Sequence, residues 1–259
     1  MNGFLLVDKP KGISSTECLK KVKKILNEKK AGHCGTLDPL ATGILPISIG
    51  EATKFSSYVS NQPKKYLVKV LFGLETDTGD ITGKEISTST INFSLEQLNA
   101  VIESFIGVQE QIPPMYSAIK QRGKPLYYWA RKGVSLSRKP RLIEIKNISL
   151  KSLKSIEKIE LEISCTKGTY IRSLVGSLGK SLKTPATVLE LRRTSLGSFT
   201  EDNLIKILSM NKENYLKSIL DSGEVLKNFP KIVLNTEEVK KIINGLQVDY
   251  NARQEKEGI

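Results

Sequence analysis

The chain has 259 residues, enough for one large domain or a main domain with a small appendage, and its 39% hydrophobic content supplies a real core. A formal charge of +13, carried mostly by lysine, points to a polyanionic partner, although a composition rich in Lys, Ile and Asn raises the charge by itself. The first apolar run, residues 4–7, is too short for a signal peptide or a membrane span, so no membrane attachment is expected.

In chain order, residues 4–8 form a short apolar run stopped by Lys9-Pro10-Lys11-Gly12. Ser14, Ser15 and Thr16 then offer N-caps to a helix with Leu19, Val22, Ile25 and Leu26 on one face. Lys20, Lys21, Lys23 and Lys24 gather on the other, as either a solvated face or an RNA surface. Residues 32–43 hold the chain's only histidine, His33, five positions before Asp38. Gly32, Gly35 and Gly43 free the backbone while Pro39 fixes its own φ, so this loop can present Asp38 in one orientation. Such a carboxylate serves as nucleophile or base, or Asp38-Pro39 is an ordinary turn. Residues 44–49 read as a strand and 51–58 as a short helix.

Tyr66, Val68, Val70 and Phe72 alternate with Leu67, Lys69 and Leu71, the period of a strand. It ends in the turn Thr76-Asp77-Thr78-Gly79-Asp80, whose acids read as turn-formers rather than catalysts. Residues 95–105 are an amphipathic helix, Pro113-Pro114 breaks the chain, and 126–131 fit another helical turn or two. Strands over 142–150 and 156–166 are joined by a lysine-rich turn, 167–172 lead into a helix through about Leu182, and 188–193 return extended. Strands and helices alternate without regular βαβ spacing, which predicts an α+β fold with a mainly antiparallel sheet. After about Leu220 the character shifts, with a strand expected over residues 229–234 and a helix over 237–244.

Cys18, Cys34 and Cys165 are widely separated and form no C-x-x-C pair, so neither a disulfide framework nor a zinc site is expected and a reducing cytoplasm is. A single histidine argues against metal hydrolases and against a Ser-His-Asp triad. With no phosphate-binding G-x-x-x-x-G-K-[ST] loop and no G-x-G-x-x-G after a strand, no metal or cofactor is expected.

Asp8-Lys9-Pro10-x-Gly12-x-Ser14-Ser15, then residues 32–43, Lys65-Tyr66 and Thr76-Asp77-Thr78-x-Asp80 form an ordered series. It continues in residues 111–118, in Leu126-Tyr127 followed by Ala130-Arg131-x-Gly133, in Gly168-Thr169-Tyr170-Ile171-Arg172 and in Leu191-Arg192-Arg193. Together, over roughly residues 2–200, these resemble the bacterial TruB family, the tRNA pseudouridine-55 synthases. The resemblance implies a pseudouridine synthase fold: a central, mainly antiparallel mixed sheet flanked by helices. It also implies cleavage of a tRNA uridine's glycosidic bond, rotation of the uracil and rejoining through C5, a redox-neutral change.

In that resemblance Asp38 is the catalyst, attacking the sugar or removing its 2′ proton. A carboxylate in a pocket tends to protonate, and Arg172 supplies the fixed cation that opposes this, though an Arg at a helix start fits solvent equally well. The target base must be flipped out of its loop, and Tyr66 matches the residue that stacks on it, though on pattern alone Tyr66 is a core-facing strand residue. Tyr170 and Leu191 match the uracil pocket, or else are core residues, and His33 matches an RNA contact beside the flipped nucleotide. Lys9 and Pro10 support the site from beneath.

Three departures stand out. Tyr128 replaces an acid, Thr184-Pro185-Ala186-Thr187 replaces a Gly-Ala-His pattern, and after Leu220 only about half of a PUA-like RNA-binding domain fits. The expected organisation is a catalytic domain over 1–222 and a truncated PUA-like segment over 223–259, with 251–259 frayed. The expected partner is the T-arm and elbow of tRNA, met by a monomer without an obligatory protein partner. A tRNA chaperone using the same basic surface and an RNA-guided synthase are the rival readings.

Overall fold

The computed structural model describes residues 1–207, 212–227, 230 and 232–248. The chain divides into two units, Met1–Val225 and Leu226–Ile259. In the first, β1 (Gly3–Lys9) leads into α1 (Ser15–Leu26), and β2 (Ala31–His33) precedes the loop to β3 (Thr42–Ile49). A 3-10 turn over Gly50–Phe55 runs into α2 (Ser56–Ser60), then come β4 (Lys64–Phe72) and the small hairpin of β5 (Leu74–Thr76) and β6 (Glu85–Thr88). α3 (Leu95–Ser104) and β7 (Gly107–Gln111) are followed by the short strands β8 (Lys120–Gln121) and β9 (Lys124–Pro125) and by α4 (Leu126–Arg131). The long hairpin of β10 (Arg141–Ser155) and β11 (Lys158–Cys165) leads to α5 (Ile171–Ser181), β12 (Ala186–Leu196), β13 (Ile205–Lys206), α6 (Lys212–Lys217) and α7 (Ser222–Val225).

The main sheet runs β13-β1-β3-β12-β4-β11-β10-β7, with β2 also on β3. Pairing is antiparallel except at β1/β13 and at β3/β12, which is the mixed, mainly antiparallel sheet that the sequence predicts. β1 is buried on both faces: Leu5 and Val7 join the larger core with α1, α3 and α5, while Phe4 and Leu6 join a smaller one with Ile44, Ala52 and Leu196. That explains an unbroken apolar run where a one-faced strand would alternate. β4 is such a one-faced strand, its Tyr66, Val68, Val70 and Phe72 all in the larger core.

The two parallel partners β3 and β12 meet over only Arg192↔Thr42 and Arg193↔Gly43. Their approach is close. A Cβ on Gly43, whose φ is +97°, would lie 2.3 Å from the carbonyl oxygen of Arg193, so glycine is required here for both its conformation and its lack of a side chain. Ser14 caps α1 in a reciprocal box with Glu17, which frees the neighbouring Ser15 for another task.

Two expectations need correction. β10 does not stop at residue 150 but runs to Ser155, because Ser152, Leu153 and Ser155 keep finding partners on β11 across bulges; the turn shrinks to Ile156-Glu157. In the second unit, Ile232, Val233 and Leu234 lie outside any strand, while Phe229 and Lys231 fall outside the described residues. No partner strand is present there among the described residues, and Val233 is 87% exposed. The expected helix is found as α8 (Thr236–Ile243), capped by Asn235 and Glu238. Residues 251–259 lie outside the described residues.

Candidate active site

The loop between β2 and β3 is held from several sides before its carboxylate meets any partner. The Ser15 hydroxyl donates to the carbonyl of Leu37 at 3.0 Å and accepts from the Leu37 amide at 2.8 Å. The Gly12 amide donates to the Pro39 carbonyl at 2.8 Å. Lys9 is fully buried, and its ammonium donates to the carbonyls of Pro10 (2.9 Å), Ile13 (2.6 Å) and Pro39 (3.4 Å). Burial pulls the Lys9 ammonium down to about 8, against the attraction of Asp38. Lys9 therefore ties the segment that follows it to the Asp38 loop through Pro39.

Asp38 and Arg172 come together although 134 positions separate them. Arg172 Nε donates to Oδ2 and Nη2 to Oδ1, both at 2.8 Å. The remaining contacts hold the guanidinium still: Nη1 donates to the carbonyl of Thr78 and Nη2 to that of Tyr116, each at 2.7 Å. The side chain of Arg172 is only 4% exposed, whereas that of Asp38 keeps 29% open. So Arg172 is no solvated helix-start residue; it is a fixed fork beneath a carboxylate with one accessible side.

Burial is the largest influence on the Asp38 carboxyl and pushes it above the ordinary carboxylate range. Arg172 opposes this by charge and by hydrogen bonding, and Lys9 opposes it more weakly, while the charge of Asp80 adds to the upward push. Asp80 is the acid that the sequence reading took for a turn-former. It does form the turn, through Thr78 and Thr82, but it is also buried, with Oδ2 4.0 Å from Arg172 Nε. The turn motif by itself gives no hint of this, because Arg172 lies far along the chain.

Tyr66 is buried on the core face of β4, opposite Arg193 in the β12 register, with its hydroxyl against the Arg193 guanidinium. Its phenol is pushed up by burial and is within electrostatic reach of Asp38. Tyr170, also raised by burial and also sensed by Asp38, has its amide and carbonyl gripped by the side-chain amide of Gln111 at 2.7 and 3.1 Å. Leu191 is buried in the same core cluster as Tyr66 and Leu37. His33 is half-buried on β2, its imidazole pushed toward the neutral form by burial and then by Arg193, and Nδ1 is buried without a hydrogen-bond partner among the described residues.

Sequence reasoning gave Ser15 only a capping role and gave Gln111 and Arg193 none, although each lies inside a motif that it quoted. The cysteines are free and buried, and burial pushes Cys18 and Cys165 up to about 11, so those two are not thiolate nucleophiles at neutral pH. Among the described residues no three His, Cys, Asp or Glu side chains gather as a metal site, and no helix is long and apolar enough to cross a membrane.

Comparison with known proteins places this geometry. A model of the TruB family pseudouridylate synthase (N terminal domain) matches residues 23–171. The tRNA pseudouridine synthase B of Chromobacterium violaceum is 41% identical over 99% of this chain and 84% of its own length. The enzyme of that name from Blochmanniella pennsylvanica is 48% identical over 85% of each chain. Among solved structures, a chain from a Cbf5-Nop10-Gar1 complex superposes with a TM-score of 0.74 at 27% identity, covering 94% of this chain and 67% of that one. A chain from an H/ACA RNP bound to a substrate RNA containing 2'-deoxyuridine has the same fold, with a TM-score of 0.72 at 24% identity, covering 95% of this chain and 67% of that one.

Proposed function

The chain belongs to the TruB family and is a tRNA pseudouridine synthase, and from that premise we propose that it isomerises uridine 55 in the T-loop with Asp38 as its catalyst. The observation that carries this reading is the asymmetry of the Asp38–Arg172 pair: the cation is sealed and the anion is open on one side. A carboxylate needs that arrangement to stay charged and still reach a sugar.

The ionised Asp38 either attacks C1′, displacing uracil as its anion, or takes the 2′ proton as the glycosidic bond breaks. The uracil turns and C5 bonds to C1′ as the Asp38–C1′ ester bond breaks or, on the second route, as Asp38 returns the 2′ proton; the proton on C5 then leaves while N1 gains one, so Asp38 is regenerated, nothing is oxidised and no co-reactant is consumed. Arg172 does not touch the sugar in this account. It favours the carboxylate over the carboxyl and aims its open side. Tyr66 stacks on the flipped uracil, Tyr170 and Leu191 line its pocket, His33 contacts RNA beside it, and Lys9 and Pro10 hold the loop. Flipping costs a few kcal/mol, which stacking and phosphate contacts must offset.

The partner is the tRNA T-arm and elbow, bound by a cytoplasmic monomer that needs no protein partner and no cofactor. The net charge of +13 supports this. Residues 223–259 would add a PUA-like remnant to the catalytic residues 1–222. A pure RNA chaperone has no use for a sealed arginine under an accessible carboxylate. The test is to treat an unmodified tRNA transcript with the protein and map pseudouridine by carbodiimide labelling and primer extension. One stop at position 55, lost when that uridine is replaced by cytidine, is expected; stops elsewhere, or none, would refute the assignment. Binding should also weaken steeply as salt rises, and a salt-independent affinity would argue against phosphate contacts.

A further inference from the structure

Arg193 is fully buried, and among the described residues it has no carboxylate partner. A buried cation without a counter-charge costs several kcal/mol unless its donors are well placed. Here they are spent on the loop that carries Asp38. Nε donates to the carbonyl of Ile44 at 2.8 Å and Nη2 to that of Gly35 at 3.2 Å, so one guanidinium holds the loop at both ends. Its backbone meets Gly43 at the β3/β12 seam and stands opposite Tyr66 in the register with β4.

A guanidinium has five donors and no acceptor. A lysine at this position would supply a point charge without the planar fork that reaches two carbonyls at once. A neutral side chain would leave the carbonyls of Gly35 and Ile44 without this donor.

Building on the reading of Asp38 as the reacting group, we propose that Arg193 is a positioning residue: it fixes both ends of the 35–44 loop. It touches neither the carboxylate of Asp38 nor, by its burial, the RNA. Its effect should fall on the chemical step and not on binding, since a misplacement of about 1 Å costs on the order of 100-fold in rate.

The experiment compares Arg193→Lys and Arg193→Met with wild type at a temperature where all three give the same circular dichroism. Four quantities are read: kcat and KM on a tRNA transcript, tRNA affinity, and amide hydrogen exchange over residues 34–44 and over β4 and β12. The expected result is a graded fall in kcat, roughly 10-fold for Lys and roughly 100-fold for Met, with KM and affinity changed less than about threefold. Exchange should rise in the 34–44 segment alone. Wild-type kcat in both variants would overturn the proposal. So would exchange raised equally through β4 and β12, or variants that reach no folded state at any temperature, since each marks a merely structural arginine. If wild type itself makes no pseudouridine, the reading of the reaction falls, and the exchange arm still decides whether Arg193 holds the loop.

Discussion

Among the described residues two arginine–aspartate pairs are bidentate, and they are built to different ends. Arg192 grips Asp8 through both terminal nitrogens, at 3.0 and 3.3 Å, and also reaches Glu201 at 2.6 Å and Thr42 at 3.4 Å. It is 33% exposed and ties β1, β3 and β12 to the turn that follows them. Arg172 grips Asp38 with equal directness, but its other contacts are backbone carbonyls, and the imbalance of exposure is reversed: the arginine is sealed and the acid is open. In the first pair the charges satisfy each other as a surface latch. In the second, the protein spends its contacts on the cation so that the anion has one side left for something else. Geometry of the bond alone does not distinguish a latch from a site; which partner is left accessible does.

The sharpest way to break this contrast is to neutralise the two acids. Asp38→Asn should lower kcat by a factor of about 1,000 or more, in the range of losing a nucleophile or general base, while tRNA affinity is retained. A gel-shift titration run beside the activity assay checks both halves. Asp8→Asn should leave kcat within about twofold. Arg172→Lys comes next, with a loss of about 100-fold, because a point charge cannot hold both carboxylate oxygens and two carbonyls.

The pH profile sharpens the contrast further. Activity needs ionised Asp38, whose folded value is raised, so the acid limb of kcat should lie above the ordinary carboxylate range and activity should fall as pH drops through it. The signs for its neighbours follow from their charges. Asp80→Asn removes a negative charge that raises Asp38, so the limb should move to lower pH; Lys9→Met removes a positive charge that lowers it, so the limb should move up. Shifts in the same direction for both would show that the limb belongs to another group. Smallest of all, Arg192→Met should cost about 1 kcal/mol of stability, discounted for solvent screening of a partly exposed pair, with activity almost unchanged. A denaturant melt measures it.

The fold was legible where pattern and burial agree. β4 alternates because one face is buried, and the helices at Ser15 and Leu95 announce themselves by caps and apolar spacing. β1 was visible as a run but not as a strand buried on both faces, since periodicity is silent when every residue is inside. β2 and β13, of three and two residues, have no pattern to read; they exist because β3 and β1 offer edges. The long β10 hid behind lysines that are free to point outward from a strand. Asp38 and Arg172 were legible through their ordered motifs, but the burial of Arg172 was not, because a helix start gives no clue to what packs over it. Asp80 and Arg193 were inside quoted motifs and were passed over for the same reason: each owes its role to a contact more than 90 positions away. In a chain that uses lysine for most of its charge, each buried arginine is the better signal.

The most direct single measurement compares Arg172→Lys and Arg192→Lys, the same chemical change in the two pairs, by single-turnover release of tritium from a tRNA transcript labelled at C5 of uridine. The account predicts that the first variant is slower by about 100-fold at saturating enzyme, and that the second stays within about twofold of wild type. Equal slowing of both, or an Arg172→Lys variant that turns over at the wild-type rate, would contradict it.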